Sequence, residues 1–134
     1  LNSIIQDNEL ADYIRFPGPC FDMPAAYKIS DIVVSPADKP EGFGRIIIES
    51  QSMERPVIAS AHGGSLELIK NNYNGLLFKP KSEEDLANKI KHLILLPQKE
   101  KKKIVERAKK LVNKKYNINN MYELNFKLYN SILK

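Results

Sequence analysis

The sequence predicts an α/β fold: a parallel sheet with helices on both faces. Two observations carry this. Compact, largely β-branched apolar runs recur along the first half of the chain. Segments with helical apolar spacing alternate with them, which makes βα units.

Each element has its local reason. "YIRF" (Tyr13–Phe16) reads as a short strand stopped by Pro17-Gly18-Pro19. In Asp22–Ser30, Asp22 can N-cap and Pro24 suits a first turn, so a short helix is expected. Asp31–Pro36 is a β-branched strand. Gly42–Glu54 opens on glycines and continues as a helix, with Phe43, Ile47 and the Ser50 region on one face. Pro56–Ser60 is a strand, Gly63–Asn72 a glycine turn and helix, and Asn74–Phe78 a turn and strand.

Ser82–Leu96 is the clearest helix. Ser82 caps it, acids fill its first turn, and Leu86, Ile90, Leu93 and Ile94 form its stripe. Pro97 ends it. Two further helices follow. Gln98–Tyr116 is lined by Ile104, Ala108, Leu111 and Val112; Ile118–Leu133 is lined by Met121, Leu124, Leu128, Tyr129 and Ile132. The Tyr122, Phe126, Tyr129 set is expected to pack against the sheet.

The 134 residues suffice for one domain with a real core. No apolar run spans a bilayer and no secretory signal opens the chain. The first residue is Leu1, so the chain reads as trimmed or partial. Cys20 is the single cysteine; it excludes an intrachain disulfide and fits a reducing cytosol. It has no spacing partner for a metal or nucleophile role. His92 reads as a surface residue. His62 lies near the proposed crevice, and its role stays open.

The net charge of +5 is uneven. Up to Leu96, ten Lys/Arg face thirteen Asp/Glu; from Pro97 on, eleven face three. A basic tail can meet nucleic acid or an anionic membrane. The lysines of Lys99–Lys115, however, ring a helix that has its own apolar stripe, so a solvated face is the expectation and no nucleic-acid partner is expected.

The stretch with chemistry is "PEGFGRIIIE", Pro40–Glu49. α/β sheets bind ligands outside the carboxyl ends of their strands, where this stretch falls. A helix starting near Gly42–Gly44 aims free N–H groups and its positive dipole end at an anion, most naturally a phosphate. Glu41 stands just outside that helix. Glu49 lies about two turns further along, within reach of a ribose diol. On pattern alone, a solvated Glu41 loop and an exposed Glu49 form the slightly simpler reading.

The run "SDIVVSPADKPEGFGRIIIESQSMERPVIASAHGGSLELIKNNYNGLLFKPKSEEDLANKI" resembles the carboxyl-terminal domain of GT-B glycosyltransferases of group 1. "YIRFPGPCFDMPAAYKIS" and "ERAKKLVNKKYNINNMYELNFKLYNSIL" extend the resemblance over essentially the whole chain. It implies a Rossmann-like parallel sheet closed by carboxyl-terminal helices. Residues 1–96 would be a truncated nucleotide-sugar-binding domain, and 97–134 helices packing on it. It implies a retaining transferase with a nucleotide sugar as donor substrate and no separate cofactor or metal. Glu41 would be catalytic. Cys20, Gly42, Phe43, Gly44, Arg45 and Glu49 would bind the donor, Glu49 through the ribose hydroxyls. The acceptor would be a sugar or lipid-linked, as in cell-envelope glycolipid or polysaccharide (lipopolysaccharide-type) synthesis. The enzyme would be cytoplasmic, with peripheral contact at the inner membrane face.

The pattern also departs from the family. An amino-terminal acceptor domain and the first donor-domain strands, with their diphosphate-clamping Arg and Lys, have no counterpart here. Arg45, Glu54 and His62 replace apolar or small residues. The expectation is a fragment that is inactive alone and that meets a missing domain or self-associates; a non-catalytic nucleotide-binding module is the alternative.

Overall fold

The computed structural model describes residues 1–133. It is an α/β unit with a three-stranded parallel sheet in the order β1-β2-β3, formed by Val33–Ser35, Val57–Ser60 and Leu76–Phe78. Val33 pairs with Val57, and Ile58 with Leu76. The helices are α1 (Asn2–Asp7), α2 (Met23–Ile29), α3 (Arg45–Ser52), α4 (Ser65–Leu68), α5 (Glu83–Leu95), α6 (Gln98–Lys115) and α7 (Ile118–Ile132).

The core follows from the two-residue period of β2. Val57 and Ala59 join Ile47 of α3 and Leu68 and Ile69 on one face. Ile58 points the other way, against Leu76, Phe78, Leu93 of α5 and Ile104 of α6. Both faces of the sheet are thus covered, as a parallel sheet requires. Helix α6 serves both sides: Ile104 joins one cluster, and Tyr116 just past its end packs on the other.

Caps fall where the sequence puts them. The Asp22 carboxylate accepts from Ala25 N, and the Ser82 hydroxyl from Asp85 N. Among the described residues, no helix is long and apolar enough to cross a membrane.

Several expectations change. Tyr13–Phe16 forms no strand: Ile14 N donates to Leu10 O in a local turn, and no strand of the sheet pairs with the segment. Helix α4 stops at Leu68. The buried Asn74 side chain takes the helix end, donating to Leu68 O and accepting from Lys70 N. Ile94 is exposed rather than part of the α5 contact. Tyr122, Phe126 and Tyr129 do not reach the sheet, and α7 buries no residue. Amphipathic spacing builds a sticky face, but among the described residues nothing covers that one.

Candidate functional site

The site grows from the loop between β1 and α3. Gly44 caps α3 in the left-handed conformation, φ +77°, which glycine adopts without cost. The helix therefore begins only at Arg45, and Glu49 lies one turn in rather than two. Among the described residues, no side chain caps its first N–H groups, and its first turn carries no acid. The positive helix end can therefore receive an anion.

A second glycine pair, remote in sequence, holds this loop. Gly64 N donates to Glu41 O at 2.8 Å. A Cβ at Gly63 would lie 2.6 Å from Glu41 O, and one at Gly64 2.9 Å from three backbone atoms of Phe43. Only a bare backbone permits this contact. From the other side, the Phe43 and Tyr116 rings meet edge to face, centroids 5.8 Å apart.

Glu49 is built differently. The Tyr27 hydroxyl donates to its Oε2 at 2.9 Å, and Arg45 Nη2 to its Oε1 at 3.1 Å. A carboxylate offers about four acceptor positions. Two are used to fix the group, and the others have no partner among the described residues. Tyr27 is buried, so burial first, and then the Glu49 carboxylate, push its phenol up to about 12. It stays a donor throughout the neutral range.

Of the residues singled out from sequence, Gly42, Phe43, Gly44 and Arg45 run from the loop into α3, with Glu41 just before them and Glu49 one turn beyond. Glu41 is exposed, and its carboxylate makes no hydrogen bond or ion pair among the described residues. Arg45 serves Glu49 within the helix rather than standing free. Cys20 is exposed and bonds only locally, to Asp22 O. Its neighbour Phe21 is fully exposed. The structure does not join them to the Glu41 loop or to Glu49. Sequence reasoning missed Tyr27 as the partner of Glu49, 22 residues away. It also missed Gly63-Gly64 as the support of Glu41; a glycine pair opening a four-residue helix was the available signal.

The chain matches the family model described as glycosyl transferases group 1 over residues 1–111. The lipopolysaccharide 1,2-N-acetylglucosaminetransferase of Salmonella typhimurium is 33% identical over 96 residues, 71% of this chain and 25% of that protein. The crystal structure of a glycosyltransferase from Rickettsia africae superposes with a TM-score of 0.92 at 38% identity, over 99% of this chain and 35% of that one. Anabaena HepE in complex with UDP and glucose gives 0.91 at 26% identity, over 97% and 35%. The chain thus spans about a quarter to a third of the length of these proteins.

Proposed function

Because this chain belongs to the glycosyl transferases of group 1, we propose that it is the nucleotide-sugar-binding part of a retaining transferase. The remaining machinery belongs to a larger whole, in a longer polypeptide or a partner chain. One observation carries the donor reading: an uncapped α3 N-terminus entered over Gly44, with Glu49 held by Tyr27 and Arg45 one turn along.

In this reading the diphosphate lies against the N–H groups of Gly42–Arg45. They stabilise the negative charge that builds on the leaving nucleotide as the glycosidic bond breaks. Glu49 accepts hydrogen bonds from the ribose hydroxyls. Glu41, whose carboxylate has no partner among the described residues, faces the donor sugar and is the catalytic candidate. Cys20 supplies a base contact only if its loop folds over the nucleotide. The donor itself brings the reactive bond, so no further cofactor is assigned. The likeness to a UDP-bound protein supports UDP as the first nucleotide to try. The likeness to a lipopolysaccharide transferase supports an envelope-glycan acceptor. The chain's peripheral contact, at the cytoplasmic face of the membrane, would run through the lysines of α6.

Calorimetric titration with UDP, GDP, ADP and their common sugars tests the reading. Millimolar or tighter binding is expected. Glu49→Ala should weaken it about 10- to 100-fold, as loss of hydrogen bonds to a charged group does. Binding unchanged by Glu49→Ala would refute the assignment.

A further inference from the structure

We propose that His62 is a positioning residue that sets the Glu41 loop over the sheet. Its purpose rests on the donor-site reading above; its geometry does not. The His62 ring lies 2.8 Å through Nε2 from Ala37 O, in the segment leading to Glu41. A carbonyl only accepts, so Nε2 carries a proton and donates it to Ala37 O. Two positions on, Gly64 N binds Glu41 O. One short turn therefore holds the segment at Ala37 and at Glu41.

That turn is itself fixed. The buried Ser65 hydroxyl accepts from His62 N, bonds to Ser60 O, and lies 2.8 Å from His62 O. Below the loop, His62 Nδ1 and Ser60 Oγ are buried without partners among the described residues. Buried polar atoms are nearly always paired. An apolar side chain at position 62 would leave no such orphan, so what the histidine contributes is its bond to Ala37. His62, Ser60, Ser35, Ile47 and Glu41 line one small cavity of about 10 Å³. The ring is bonded to the loop segment at Ala37 O, and through that segment it acts on the site.

Backbone amide exchange on wild type, His62→Ala, His62→Gln and His62→Phe tests this, with melting temperature as control. In His62→Ala and His62→Phe, exchange at Gly64 N–H should accelerate about tenfold, while Leu93 in the core is unchanged. His62→Gln, whose amide can donate to Ala37 O, should restore protection. UDP-glucose affinity should fall about fivefold relative to UDP affinity in His62→Ala and recover in His62→Gln, because α3 keeps Glu49 in place. Unchanged Gly64 exchange in His62→Ala would overturn the proposal, and so would equal protection in His62→Phe and His62→Gln. The Phe–Gln pair decides the matter even where His62→Ala does not fold. Failure of wild type to bind either nucleotide counts against the donor-site reading alone, because the exchange comparison needs no ligand.

Discussion

The sheet with its covering helices and the final helix α7 are written in the same apolar alphabet, yet they end in opposite environments. Leu93 of α5 is 0% exposed, while Phe126 of α7 is 69% exposed. The buried apolar residues run from Tyr27 to Val112, and α7 contributes none. An amphipathic helix states that it has a face to bury; a neighbour within reach decides whether it does. α5 and α6 find one across the sheet. α7 keeps its stripe open, in a chain that spans about a third of the Rickettsia africae glycosyltransferase.

The strongest way to break this contrast is to delete the same kind of contact in both regions. Leu93→Ala should cost about 4 kcal/mol in chemical unfolding, as a cavity in a closed core does. Phe126→Ala should change stability by less than about 0.5 kcal/mol. A larger cost for Phe126→Ala that grows with protein concentration would show that copies of the chain bury α7 against one another.

A smaller effect sharpens the contrast between core and site. Gly64→Ala must push its Cβ into the backbone of Phe43. It should cost about 2–3 kcal/mol and weaken nucleotide-sugar binding at the same time. Stability lost with binding intact would mean that the Glu41 loop is not part of the donor site.

The third effect separates Tyr27 from an ordinary core residue. Its folded pKa is raised from 10.0 to about 12. The folded state therefore holds the proton more tightly. The associated stability is complete below pH 10 and is lost as pH climbs toward 12, by at most about 2–3 kcal/mol. Urea unfolding across that range should show the decline in wild type and a flatter profile in Tyr27→Phe. Matching profiles would remove Tyr27 as the partner that holds Glu49.

Much of the plan was legible because it is local. Unbroken apolar runs bounded by Pro, Gly and Asn marked the strands at Val33, Val57 and Leu76. Ser82 with three following acids marked α5. The Glu41–Gly44 loop at a strand's carboxyl end marked the candidate site. Propensity, capping and periodicity act over a few residues, so sequence alone carries them. The tertiary structure decided what depends on a distant partner. Asn74 ends α4, Tyr27 fixes Glu49, and Gly63-Gly64 carries Glu41. Tyr13–Phe16 stays out of the sheet and α7 stays uncovered for the same physical reason. A strand needs an edge and an apolar face needs a neighbour, and neither is encoded in the segment that seeks it.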